Sequence, residues 1–219
     1  MGDMNGSHDS AAASHALHID MSARDPSNSV WKQLMHILEL RVITTDLAPV
    51  SPAITNARLD TLQKNLNDLI AKEPKKLNLK IALARAQLRE AVNFSLLGNL
   101  PKARKALLQA NNSLAELHKN SPTDKFVTYA WIDAVLLGAE TIEPGRSYFS
   151  ECNIARTVLE PEVAQSRDFN VLTRWVKLSY CLGRNRDAFD AQAKLASMDY
   201  KDPSYLNSTL LHLPKKVNQ

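Results

Sequence analysis

From Trp31 to Leu195 the apolar residues return every three or four positions, the period that gathers side chains onto one face of an α-helix. Trp31, Leu34, Met35, Leu38 and Val42 form such a stripe over about Ser27 to Thr45. Leu59, Leu62, Leu66, Leu69 and Ile70 form one over Pro52 to Ala71, and Leu77, Ile81, Ala84, Leu88, Ala91 and Phe94 one over Lys75 to Leu97. Ala103, Ala106, Leu107, Ala110, Leu114 and Leu117 follow over Pro101 to His118. The pattern then predicts helices over Pro122 to Leu137, Arg146 to Leu159, Phe169 to Leu182 and Arg186 to Met198, with a closing helix near Pro203 to Leu211.

Boundaries between these segments carry two kinds of punctuation. Ser or Asp followed by Pro occurs at Asp25-Pro26, Ser51-Pro52, Ser121-Pro122 and Asp202-Pro203, a pairing that suits an N-cap and the first helical position. Leu-Gly closes three segments, at Leu97-Gly98, Leu137-Gly138 and Leu182-Gly183, where glycine lets a helix end in the left-handed conformation. Short connections make successive helices antiparallel neighbours. The expected fold is therefore all-α: a right-handed array of antiparallel hairpins with about eight or nine helices, in one domain over 25–212.

The three Leu-Gly turns are spaced 40 and then 45 residues apart. Around Gly98, Ala91 and Phe94 precede the turn, and Ala103, Leu107 and Ala110 follow it, which lets two helices approach closely. Gly183 is followed by Ala188 and Leu195 at matching offsets, with Gln192 in place of an apolar residue. Over roughly residues 75–200 the chain resembles the tetratricopeptide superfamily in divergent copies, with turns longer than the roughly 34-residue period of the strict repeat allows. Gln87 stands where the first helix of that repeat often has Trp.

The resemblance implies a non-catalytic interaction module, because the first helices of such hairpins line a concave groove that receives a peptide or a partner's helix. Its groove offsets fall on Arg85 and Arg89, on Lys125, Tyr129 and Asp133, and on Asn170, Arg174 and Lys177. Arg85 and Arg89 are four apart and project from one face, so two guanidinium groups are placed to grip a carboxylate. They occupy offsets that are basic in the carboxylate-clamp subset, whose other Lys and Asn positions are missing here. An acidic peptide is the implied partner, and a solvated basic face the alternative. A sensory or regulatory domain of a larger signalling protein is a second reading. A self-assembling scaffold, using Ile37, Leu40 or Ile43 as exposed apolar positions, is a third.

Composition narrows the classes further. Of 219 residues 44% are hydrophobic and only 6 are Gly, which suits helices better than a turn-rich β fold. No run approaches the length of a membrane span. Residues 1–24, rich in Gly, Ser, Asp, Ala and His, are expected to be a disordered leader or tag, and 213–219 a flexible tail. His15 and His18 in the leader are read as tail residues rather than metal ligands. Net charge is +4, with nine basic residues against Glu73 and Glu90 between Lys72 and Lys105. That excess is too local for nucleic acid to be expected as the ligand.

Cys152 and Cys181 lie inside apolar helical patterns without metal-ligand spacing, so two buried thiols are expected, with a disulfide between neighbouring helices as the alternative. The compartment stays open between cytoplasmic and periplasmic. Trp31, Trp131 and Trp175 fall in apolar stripes and are expected to pack. His36, His118 and His212 lie in separate helices, and no Gly-rich phosphate loop, HExxH or GxSxG occurs. No catalytic residue, cofactor or metal is therefore expected.

Overall fold

The structure, a computed structural model, describes residues 4–45, 51–139 and 148–200. Among the described residues there are nine α-helices and no strand, so the chain is all-α. The helices gather into two compact units rather than the single domain expected over 25–212. One, Asp3–Pro144, holds α1 (Met4–Arg24), α2 (Ser29–Thr45), α3 (Pro52–Lys72), α4 (Leu77–Leu96), α5 (Leu100–Asn120) and α6 (Lys125–Leu137). The other, Gly145–Gln219, holds α7 (Phe149–Val163), α8 (Phe169–Cys181) and α9 (Asn185–Ser197).

The first correction is α1, because residues 4–24 form a helix where the composition predicts disorder. It packs on α2, burying Ala11 and setting His18 edge-on to Trp31 with ring centroids 6.0 Å apart. Alanine favours a helix without contributing an apolar stripe, so composition alone does not reveal it. The expected closing helix at 203–211 and the tail at 213–219 lie outside the described residues.

In the first unit the central core joins Leu40 and Ile43 of α2, Leu59, Leu62, Leu66 and Leu69 of α3, and Leu79, Ala82 and Ala86 of α4. Ile37 packs half-buried against it. Leu40 and Ile43 are therefore interior, which removes the exposed apolar stripe on which self-assembly rested. The stripe of α2 is rotated from the expected one, since Trp31, Leu34, Met35 and Leu38 are only half-buried while Gln33 and His36 are buried. Helices α4 and α5 pack on each other, and Ala84 and Ala91 of α4 and Ala103, Ala106 and Ala110 of α5 are all buried. Asn93 fastens the start of α3 to the end of α4, its Nδ2 donating to Pro52 O at 2.8 Å and to Asn56 Oδ1 at 2.6 Å.

Cap chemistry decides several boundaries. Ser51 is the N-cap of α3 with Pro52 in its first turn, as the Ser-Pro pairing predicts. Ser121-Pro122 instead forms a turn, and α6 begins three residues later with Asp124 accepting from Val127 N at 3.1 Å. Asp25-Pro26 likewise precedes a turn, and Asn28 Oδ1 receives Val30 N and Trp31 N at the start of α2. Gly98 and Gly183 adopt φ of 72° and 68°, and the following amides reach back to Phe94 O and Ser179 O at 2.8 Å each. Gly138, expected as a third left-handed stop, has φ −60° and continues the helical conformation.

In the second unit α8 packs against both α7 and α9. Cys152 of α7, buried, and Cys181 of α8, half-buried, form a disulfide, so the alternative to two buried free thiols is the one found. Gln192, anomalous as a replacement for an apolar residue, accepts a 2.9 Å hydrogen bond from the Tyr180 hydroxyl and links α9 to α8.

Candidate functional site

Five of the eight expected groove residues lie in the first unit. There α4 packs against α3 and α5 and also touches α2 and α6, so the alternate helices α2 and α6 both meet α4. Arg85 and Arg89 sit one turn apart on α4, half-buried, beside the buried Ala84, Ala86 and Leu88. On α6, Lys125 is exposed and Asp133 half-buried, whereas Tyr129 is 8% exposed and belongs to the interior. Nine residues of α6 are buried, so this helix is enclosed around most of its circumference and offers only its edges. None of these five side chains is without a partner in the chain.

The other three residues belong to α8 in the second unit. Asn170 is exposed, its backbone and side-chain amides donating to Asp168 Oδ1 at 2.8 and 3.0 Å. Arg174 Nη1 donates to Asn170 O at 2.8 Å, and Lys177 is half-buried. The expected set is thus divided between two units, five and three.

The basic stretch from Lys72 to Lys105 runs from the end of α3, along α4, to the start of α5. Lys72, Lys75, Lys76 and Lys80 gather where α3 ends and α4 begins, and Lys76 pairs with Glu73 at 3.5 Å. Lys102, Arg104 and Lys105 lie at the start of α5, beside the far end of α4. With 20 residues in α4, the two groups are about 30 Å apart. Arg85 and Arg89 of the same stretch lie between the two groups, along α4.

Polar clusters that sequence spacing does not reveal hold the interior. Arg156 of α7, 8% exposed, donates from Nη2 to Asp187 of α9 at 2.8 Å and from Nη1 to Glu160 at 3.3 Å. Its guanidinium also lies 4.1 Å from the centre of the Trp175 ring of α8, so one side chain touches all three helices of its unit. The only advance signal is a lone arginine inside an apolar run. In the first unit His118 stacks on Trp131, with ring centroids 4.8 Å apart, and shares a 3.1 Å hydrogen bond with the Thr128 hydroxyl. Burial pulls the His118 pKa below the ordinary histidine value.

His15 of α1 is half-buried and its pKa is also lowered, chiefly by burial, with Glu39 opposing the shift and Arg58, His36 and His18 adding to it. The reading of His15 and His18 as disordered tail residues is superseded, since His18 Nδ1 lies 2.8 Å from Ser14 O within α1. Among the described residues no three His, Cys, Asp or Glu side chains are grouped to hold a metal ion. No helix among them is long and apolar enough to cross a membrane.

No protein-family model, curated protein or solved structure matches the chain.

Proposed function

We propose that the chain is a non-catalytic interaction module of the tetratricopeptide-like kind, receiving an acidic peptide along α2, α4 and α6. The observation that carries this reading is the packing of α4 against both α2 and α6, since that packing gives neighbouring first helices of hairpins a shared face. Arg85 and Arg89 are the anchors, one helical turn apart on α4. Lys125, at the exposed start of α6, adds positive charge. Because both arginines already have partners in the chain, peptide carboxylates bind by competing for them, and the interaction weakens steeply with salt. Tyr129 contributes packing beneath the face rather than contact with the peptide.

The test uses an array of immobilised Asp- and Glu-rich peptides beside neutral peptides of equal length, probed with the full chain. Acidic peptides are expected to retain it, and Arg85→Glu/Arg89→Glu to weaken retention on the order of ten- to hundredfold, the worth of one charge-assisted contact or more. Equal retention of wild type and variant, or of acidic and neutral peptides, refutes the reading.

A further inference from the structure

The turn between α4 and α5 combines two features that the peptide groove does not use. Leu96, Leu97 and Leu100 are 75%, 49% and 38% exposed, three neighbouring apolar side chains at a tip where the core takes none of them. Gly98, at φ 72°, reverses the chain there and closes the end of α4 through Gly98 N to Ser95 O and Asn99 N to Phe94 O. The tip is therefore a built helix end with its backbone groups satisfied. Ile54 is 56% exposed at the same end of the unit, because Asn93 near the close of α4 holds Pro52 and Asn56 at the start of α3.

Directly behind the leucines stand Lys102, Arg104 and Lys105, all exposed. No Asp or Glu occurs between Glu90 and Glu116. Lys102 lies in the first turn of α5, which has no acidic residue, at the helix end whose dipole already favours negative charge. Cation and dipole therefore oppose each other locally, and an external anion relieves both. Protruding leucines with a basic collar match a surface that is apolar inside and anionic outside. Nucleic acid satisfies the collar but leaves the leucines in water.

We propose that the α4–α5 turn is a docking tip for an anionic lipid surface, with Leu96, Leu97 and Leu100 entering the acyl boundary and Lys102 and Lys105 meeting the headgroups. Attachment is peripheral and reversible, and it weakens as salt screens the collar. The tip belongs to the first unit alone and does not depend on the peptide reading of Arg85 and Arg89.

Co-sedimentation of the full chain with phosphatidylcholine vesicles, with and without phosphatidylserine, tests it. Wild type is expected to pellet with the anionic vesicles at low salt and stay in solution with the neutral ones. Lys102→Gln/Lys105→Gln is expected to weaken partitioning on the order of thirtyfold, and Leu96→Ser/Leu97→Ser by at least about tenfold, with unchanged circular-dichroism melting. Lys72→Gln/Lys75→Gln, at the other end of α4, is expected to bind as wild type. No pelleting of wild type, wild-type binding by both tip variants, or an equal loss in the Lys72/Lys75 variant overturns the proposal. Binding of a single-stranded oligonucleotide that depends on Lys102 and Lys105 but not on the leucines, without binding to vesicles, also overturns it.

Discussion

Removing the Cys152–Cys181 disulfide is expected to loosen the second unit selectively. The bond joins α7 to α8 across a sequence separation of 29 residues, and closing a loop of that length restricts the unfolded chain by about 3.6 kcal/mol. A unit whose described part is roughly 50 residues has a total stability of only about 3–8 kcal/mol. The cross-link thus supplies a large share, and Cys152→Ala/Cys181→Ala leaves the α7–α9 packing near the edge of unfolding. Arg156 and Trp175 still touch each other in the variant, so helix content should fall only in part at low temperature. Hydrogen–deuterium exchange read by mass spectrometry separates the units: α7, α8 and α9 should exchange much faster in the variant, while α3, α4 and α5 keep their wild-type rates. The same selective change should follow treatment of wild type with reductant. Identical exchange in α7–α9 with and without the bond would refute the reasoning, and so would recovery of two free thiols from protein isolated without reductant. Such a bond persists in oxidising compartments, so isolation under those conditions comes first.

Arg156→Ala should lower the stability of the second unit by about 1–3 kcal/mol, less than a fully buried pair would cost because Asp187 and Glu160 are partly solvated; thermal melting measures it, and a change near zero refutes the hub. Ser179 is completely buried and its hydroxyl finds no hydrogen-bond partner among the described residues, so Ser179→Ala should stabilise by about 1 kcal/mol in denaturant titration, and a loss of stability would contradict the assignment. The folded pKa of His15 lies below its unfolded value of 6.5, so its contribution is complete above pH 6.5 and is lost as pH falls through the lower folded value. Amide exchange in α1, corrected for intrinsic rates, should rise over that acidic window, and His15→Gln should flatten the rise; an unchanged profile in the variant would refute the assignment to His15.

Much of the helical order is legible because its signals are local. Gly98 and Gly183 mark helix ends by conformational freedom, and Pro52 marks a helix start by its fixed backbone. Helix α1 escapes a reading by periodicity because an Ala- and His-rich segment shows no stripe, although the burial of Ala11 needs only one small face. Asp124, not Ser121, caps α6, because a carboxylate two residues beyond the proline competes for the same start. Leu40 and Ile43 are core residues because α3 and α4 converge on that side of α2, a fact of packing that a single helix does not record. The candidate site is legible only in part. Arg85 and Arg89 do share a face, but the interior position of Tyr129 follows from how completely α6 is enclosed. The Arg156 cluster joins residues 31 apart through tertiary contact, beyond the reach of any short spacing.

The most direct test of the interaction reading is hydrogen–deuterium exchange of the full chain with and without a saturating acidic peptide selected from the array. Exchange is predicted to slow along α2, α4 and the start of α6, with α3 and α5 unaffected and with no slowing in Arg85→Glu/Arg89→Glu. Protection confined to α3 and α5, or the same protection in the arginine variant, would contradict it.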